Sequence, residues 1–465
     1  MAHSEGTGGA NGSQMSLYIT SDVTTDYNVE LADGTVVKSG TVNANAVEIV
    51  SIPTSAYLGP IEVVPGANNK KGIHITSTKP IAVYAHIYAR SVSGATLLLP
   101  VNALNKDYYS INYTQVSNAS AALSLSTFAV IGTEDGTTVR ITPTRQIGNH
   151  APGVPYEITL QKGEVYQGVA SNNDLTGTRI LSVATGTADC KKIAVFSGSS
   201  KIRIGGPNST SDNLFQQVYP LAAWGKNFVT APLKNRSYDV FRVVYSDLSA
   251  NVKVNGNAVS PSTTVGGIGY YEFAMPNGTN ATNYITSDKP IQVAQYAVTQ
   301  SNGYGGGSFP ETIGDPEMIY LPPIEQGLDK VTLYSSPFYN IQQNFINVII
   351  DASAAGTFTL DGNPYGAANF NAVAGTSYVY TQIPVSAGAH TITAGANFTA
   401  IAYGYGPAES YGYAAGTNLR NLNEFITFSN LSNSGSSQLS GCTGVPYFLQ
   451  LTVPYQPTKI GRAHV

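Results

Sequence analysis

The sequence predicts an all-β protein: four tandem β-sandwich-like repeats of about 110 residues, then the start of a further β domain. Three observations predict this. The composition favours strands and tight turns, Asx-Gly pairs recur at matching places, and landmark segments return with a common spacing.

Composition comes first. Only 11% of residues are charged, against a usual figure of about 25%. Hydrophobic residues make up 42%, which is enough for a sizeable core. The deficit of charge is filled by Gly, Ser, Thr, Asn and Tyr, with 47 Gly, 30 Tyr and only 4 Met. Aromatic and β-branched side chains fit a pleated, half-buried surface, and Gly and Asn tolerate the positive φ of tight turns. The net charge is −4 with no run of Lys or Arg, so nothing marks the chain for nucleic acid or an anionic lipid surface. No apolar stretch approaches the roughly 18 residues of a membrane span, so no membrane insertion is expected. Cys190 and Cys442 stand far apart, which excludes a disulfide framework and a cysteine zinc site.

The four repeats open at Leu17 (LYITSDVTTDYNVELADGTVV), Thr127 (TFAVIGTEDGTTVRITP), Val240 (VFRVVYSDLSANVKVNGNAV) and Asn344 (NFINVIIDASAAGTFTLDG). Successive starts are 110, 113 and 104 residues apart. This exceeds a solenoid period and suits a small sandwich. Repeats are therefore expected over 17–126, 127–239, 240–343 and 344–416. Each carries an Asx-Gly pair: Asp33-Gly34, Asp135-Gly136, Asn255-Gly256 and Asp361-Gly362. In a two-residue hairpin both central residues need positive φ, and Asx-Gly supplies it.

A second landmark closes each repeat. Gly72 to Ala89 (GIHITSTKPIAVYAHIYA) aligns with Asn283 to Val298 (NYITSDKPIQVAQYAV), and ADCKKIAVFSGS and ANFTAIAYGYG are looser versions. Pro80 and Pro290 are expected to be structural, each starting a strand where no ladder donor is needed. Beyond Pro80, Ile81, Val83, Ala85 and Ile87 share one face, and Ala82, Tyr84, His86 and Tyr88 the other. A third landmark links repeats: TLLLPVNALNKDYYSINY, VYPLAAWGKNFVTAPL and IYLPPIEQGLDKVTLYSS, each with room for one helical turn after a proline. The pattern stops near Ala415; 417–440 reads as a linker and 441–459 as the opening of another β domain.

The two ends carry their own expectations. Met1 to Ser13 is small and polar with no apolar centre, so it is not a signal peptide. Met1 is read as an internal methionine, with a strand and an export signal upstream. Residues 460–465 (IGRAHV) match what a short-read sequencing adapter encodes in one frame and are read as an artefact.

The landmarks LYITSD at Leu17, KGIHITSTKPIAVYA at Lys71, FAVIGTEDGTTVRITPT at Phe128, DLTGTRILS at Asp174, DCKKIAVFSG at Asp189, WGKNFVTAPL at Trp224, YITSDKPIQVAQY at Tyr284, GDPEMIYLPPIEQ at Gly314 and YGYAAG at Tyr411 run in order over most of the chain. In this ordered set the chain resembles the bacterial IgGFc-binding-type domain family. The resemblance implies a secreted or cell-surface protein of the kind common in Bacteroidota. It also implies an extracellular binding or adhesion role with a protein or glycan ligand, and no catalytic motif or cofactor. Antibody binding is not implied.

The residues themselves show no Gly-x-Ser-x-Gly elbow, His-Glu-x-x-His, phosphate loop or dinucleotide fingerprint. The alternative function is a secreted carbohydrate-active enzyme or its carbohydrate-binding part, which needs two carboxylates across a cleft. A third is a structural spacer. The densest acidic group is Glu311, Asp315, Glu317 and Glu325, read as a solvated loop with a calcium role as the sharper option. His74 and His86, expected on consecutive strands of one hairpin, are weak metal candidates. Trp224, the only tryptophan, is expected to anchor one repeat on the next, and Cys190 to be a buried inert thiol. Ligand-binding candidates are Tyr304, Tyr403, Tyr405, Tyr411 and Tyr413, placed by their glycine neighbours in exposed turns where rigid aromatics suit recognition.

Overall fold

The computed structural model describes residues 3, 12–66, 69–89, 91–184, 190–205, 210–276, 281–300, 313–338 and 340–419, and the backbone of 425–430, 437–438 and 447–452. Tyr304, Glu311, Cys442 and residues 460–465 lie outside the described residues.

The chain is all-β, and its strands group into four units. The first contains β1 (Gln14–Thr20), β2 (Thr25–Leu31), β3 (Val36–Val42), β4 (Val47–Ser51), β5 (Ile73–Ser77), β6 (Ala82–Ala89) and β7 (Val92–Leu97). The second contains β8 (Asp107–Tyr109), β9 (Leu125–Gly132), β10 (Thr137–Thr142), β11 (Tyr156–Leu160), β12 (Val165–Ser171), β13 (Arg179–Val183), β14 (Ile193–Ile202) and β15 (Asp212–Gln217). The third contains β16 (Gly225–Thr230), β17 (Tyr238–Tyr245), β18 (Val252–Val254), β19 (Asn257–Val259), β20 (Thr263–Val265), β21 (Ile268–Pro276), β22 (Asn283–Ala297) and β23 (Glu317–Tyr320). The fourth contains β24 (Leu328–Ser335), β25 (Gln343–Asp351), β26 (Thr359–Leu360), β27 (Asn363–Pro364), β28 (Asn371–Ala372), β29 (Tyr378–Val385), β30 (Gly388–Gly406) and β31 (Glu409–Ala414).

The second unit shows the plan most plainly. One antiparallel sheet runs β12-β9-β14-β15 and the other β11-β10-β13-β8. In the third and fourth units the strands equivalent to β13 and β14 are fused into one long strand. The first half of β22 pairs with β16 and β18, and its second half with β17 and β23. β30 does the same with β24 and β26, then β25 and β31. The second landmark is therefore a crossing between two sheets rather than a hairpin. Pro290 lies inside β22, at the crossing, where Ser246 N and Oγ both bond its carbonyl. Pro80 lies in the turn between β5 and β6. His74 and His86 accordingly sit in different sheets. His74 bonds Glu30 at 2.9 Å, whereas His86 is buried beside Tyr18.

The Asx-Gly pairs divide into two kinds. Asn255 and Gly256 (φ 51° and 81°) and Asp361 and Gly362 (51° and 77°) both take positive φ, as a type I′ turn requires. At Asp33-Gly34 and Asp135-Gly136 only the glycine does. The linking landmarks hold single 3-10 turns, Val101–Ala103, Leu221–Ala223 and Ile324–Gln326, each entered from a proline whose fixed φ suits a first turn. The strands that follow, β8, β16 and β24, pair with the sheet of the next unit, although the landmark spacing leaves them at the end of the preceding repeat.

The units pack around one axis. The last strand of each lies beside the last strand of the next: β7 by β15, β15 by β23, β23 by β31, and β31 by β7. This arrangement buries the faces that an isolated sandwich would leave wet. In β6, Val83, Ala85 and Ile87 enter the core of the first unit, and Tyr84 enters a core shared with the fourth. Beyond Leu419, β32 (Phe425–Asn430), β33 (Ser437–Gln438) and β34 (Tyr447–Thr452) form a separate three-stranded sheet. β32 falls within the stretch read as linker.

Candidate functional site

The axis concentrates the polar chemistry of the molecule. β7, β15, β23 and β31 meet there without forming a common ladder, so side chains must satisfy the backbone groups facing inward. Gln216 Nε2 donates to Ala95 O (2.7 Å) and Gly412 O (3.0 Å). Gln217 Oε1 accepts from Leu99 N (2.8 Å), and Thr96 Oγ1 from Gln217 N (2.8 Å). Asp212 accepts from the amides of Ser93 and Asn213, and Ser410 Oγ donates to its other oxygen (3.3 Å).

Four carboxyl groups close on this centre: Asp212, Asp315, Glu317 and Glu409, each no more than 2% exposed. Burial pushes Asp315 up to about 7 and Glu409 up to about 8. Burial, then the charges of Asp315 and Glu409, holds Asp212 well above the usual carboxylate range, and burial does the same for Glu317. Burial thus favours the protonated form of all four groups. The acidic group expected in one solvated loop is thus divided. Asp315 and Glu317 are interior, because the chain after Gly314 runs straight into the axial strand β23. Glu325 accepts from Lys226 N (3.2 Å) and Asn227 Nδ2 (2.7 Å) at a unit boundary. Among the described residues no group of three or more His, Cys, Asp or Glu is arranged to hold a metal ion.

The tyrosines placed in exposed turns are interior too. Tyr403, Tyr405, Tyr411 and Tyr413 are each 1% exposed. The Tyr-Gly-Tyr triplets are strand, not turn: the tyrosines point to one face and the glycine admits a neighbour on the other. A Cβ on Gly404 would stand 2.5 Å from the Tyr411 ring, and one on Gly412 would stand 2.6 Å from Ile319. Tyr403 Oη donates to Asn347 Oδ1 (2.7 Å) and accepts from Lys234 N (2.8 Å). Tyr411 Oη donates to Asn344 Oδ1 (2.7 Å), Tyr413 Oη donates to Tyr334 O, and Tyr405 carries the Arg236 guanidinium over its ring at 4.0 Å. The period-two alternation of YGYGP and YGYAA was the available signal. Trp224, 1% exposed, donates to Tyr219 O (3.2 Å) and faces Tyr109 of the second unit. Cys190 is half-buried rather than enclosed.

One centre was missed from the sequence. Arg242 on β17 is fully buried between the rings of Tyr113 and Tyr270, at 4.5 and 4.3 Å. It bonds Asp174 and Glu272 (both 2.7 Å), Asn112 O (3.0 Å) and the hydroxyls of Thr176 (3.0 Å) and Thr114 (3.1 Å). Its signal was one charge inside the apolar run VFRVVY. These aromatic and acidic side chains thus lie buried between units rather than on an outer face.

Comparison with known proteins agrees with this architecture. The model of the family described as IgGFc binding protein matches residues 94–404, from inside β7 to inside β30. A human relative, the IgGFc-binding protein, is 24% identical over 349 residues, covering 73% of this chain. The chain spans 6% of that relative's length. With the family match extending over two complete units and parts of two more, the chain belongs to the IgGFc binding protein family.

Proposed function

We propose that the chain is a non-catalytic, extracellular binding module, a part of a larger secreted or cell-surface bacterial protein that adheres through a protein ligand. The family match carries this reading: the human relative is named for binding the Fc part of IgG. The charge-poor, Gly-, Thr- and Asn-rich composition supports an extracellular setting. The disposition of the carboxyl groups supports a binding rather than a hydrolytic role. A glycosidase needs its carboxyl pair across a substrate-sized gap, and here the four most perturbed acids are walled in by β7, β15, β23 and β31.

The test is a binding panel on the immobilised chain: IgG Fc, IgG Fab, mucin, fibronectin and collagen. The expected outcome is saturable binding to a protein member of that panel. A folded chain that binds nothing in the panel at micromolar concentration would remove the adhesive reading and leave a spacer.

A further inference from the structure

Three of the four contacts between units join neighbours in sequence, through the segments 98–106, 218–224 and 321–327. The fourth, where β31 meets β7, joins units that are not consecutive. Side chains close this seam. Tyr84 lies against Tyr413, with ring centres 4.5 Å apart, and Tyr18 against Tyr334 at 4.4 Å. Ser93 Oγ donates to Ser410 O, and Lys330 and Asp22 stand 3.5 Å apart on the outside.

A histidine sits inside the seam. His86 on β6 is buried, and its ring packs on Tyr88 of its own strand (5.0 Å) and on Tyr411 of β31 (5.8 Å). Nδ1 lies 2.9 Å from Tyr18 Oη, and Nε2 is buried with no hydrogen-bond partner. A neutral imidazole fits this place, because one nitrogen meets the Tyr18 hydroxyl and only the other goes without. An imidazolium does not fit. It carries two N–H donors and a full charge, and its one hydrogen-bond partner among the described residues is Tyr18 Oη.

No counter-charge stands beside the ring. The titratable side chains packed in the seam are tyrosines: Tyr18 from β1, Tyr84 and Tyr88 from β6, Tyr334 from β24, and Tyr411 and Tyr413 from β31. β7 places Ala95 opposite His86. Burial raises the hydroxyls of Tyr18, Tyr84, Tyr411 and Tyr413, so they stay uncharged. Burial alone pushes His86 down to about 3. The charged or acidic groups farther off are the outer pair Asp22 and Lys330 and the axial acids Asp212, Asp315, Glu317 and Glu409, of which Glu409 faces Ser93 across the same seam.

We propose that the seam between β31 and β7 is an acid-sensitive joint, in which proton uptake by His86 parts the first unit from the fourth while the three linkers keep the chain together. With the seam open, His86 meets water and regains the ordinary imidazole value of 6.5. Its contribution to closure is therefore whole above about pH 6.5 and is lost as pH falls from there. At about pH 4.5 this one group raises the ratio of open to closed seam about a hundredfold. The axial acids act in the opposite sense, since they hold their protons more tightly in the closed ring. The effect of His86 is accordingly read against a variant that keeps those acids.

The test compares amide exchange, corrected for intrinsic rates, in the full chain and in His86→Gln at about pH 7.5 and about pH 4.5. Glutamine still offers the Tyr18 hydroxyl an acceptor and does not titrate. On acidification, exchange at residues 84–89, 92–97 and 409–414 should accelerate about a hundredfold more in the unaltered chain than in the variant. Residues 240–245, at the boundary between units two and three, should behave alike in both. Equal acceleration in the two proteins, or a difference spread evenly over all four boundaries, would overturn the proposal. Should the variant fail to fold, histidine ring NMR of the unaltered chain decides. His86 should stay neutral while the seam amides are protected and charge only as they open. A ring that charges near about pH 6.5 with the seam still protected would also overturn the proposal.

Discussion

Arg242 gives the sharpest quantitative expectation. The perturbation is Arg242→Ala. It removes a guanidinium that is fully buried and leaves Asp174, whose side chain is 12% exposed, and Glu272 facing each other without a cation. Burial pushes Asp174 up, but Arg242 beside it and the bonds from Thr176 outweigh this and hold it below the usual carboxylate range. Losing one partner of a buried pair costs about 3–5 kcal/mol, because the remaining charge stays desolvated. Two ring contacts add about 1 kcal/mol each at most exposed sites and more when dry. A loss of about 5 kcal/mol is therefore expected, localised to the boundary between units two and three, since Asn112, Tyr113, Thr114 and Asp174 lie on one side and Tyr270 and Glu272 on the other. The assay is urea unfolding followed by tyrosine fluorescence and by hydrogen exchange, which separates boundary opening from global unfolding. Arg242→Met combined with Asp174→Asn and Glu272→Gln should recover much of the loss, because no unpaired charge remains. A shift below about 1 kcal/mol for Arg242→Ala would refute the reasoning, since it would show the pair to be solvated.

Other expectations follow from the axis and the tyrosines. The axial acids bind their protons more tightly folded than unfolded, so the folded state carries more protons as pH rises from the ordinary carboxylate range to about 8. Stability is then complete at low pH and falls across that window, by roughly 4 kcal/mol for either Asp315 or Glu409 alone. The melting temperature should be higher at about pH 5 than at about pH 8.5; an unchanged or rising Tm would show these groups ionised in the fold. Tyr84 Oη donates to Thr332 O (3.0 Å) and Ala415 O, joining the first unit to the fourth. Tyr84→Phe should cost about 1–3 kcal/mol by removing the single hydroxyl proton that those two carbonyls share, measured as a shift in the urea midpoint. Tyr411→Ser should lower stability by about 3–5 kcal/mol, with residual binding by the folded fraction unaltered; loss of binding by fully folded protein would instead return Tyr411 to the ligand surface.

The strands were legible because their signals are local. Alternation at Ile81 to Tyr88 and the Asx-Gly pairs report geometry set by neighbours in sequence, and at Asn255-Gly256 and Asp361-Gly362 both residues take the required φ. Burial was not legible, because it is set by the other units. Tyr403 and Tyr411 sit among glycines, which read as turn residues, yet those glycines serve close strand packing. Asp315 and Glu317 read as solvent-facing because carboxylates rarely lie inside, and only the convergence of four strands makes an interior of that place. The crossing at Pro290 reads in the sequence as the start of a new strand, because a strand that changes sheets leaves the same mark as one that ends. The Asp-Gly turns at Gly34 and Gly136 used one positive φ where two were expected, so loop length rather than dipeptide identity decided their geometry.

Linear arrays such as solenoids gain and lose copies easily, since each copy touches only its immediate neighbours and the end copies can be capped. Here β31 returns to β7, so no unit is terminal and every copy has two obligatory neighbours. Duplication or deletion of one unit would change the number of strands that must meet at the centre, and the Gln216 bridges to Ala95 and Gly412 would span the wrong distance. The copy number is therefore locked by geometry. Sequence drift within each copy remains free so long as its last strand keeps its place, and that freedom leaves the outward loops and edges open to diversify between members of the family.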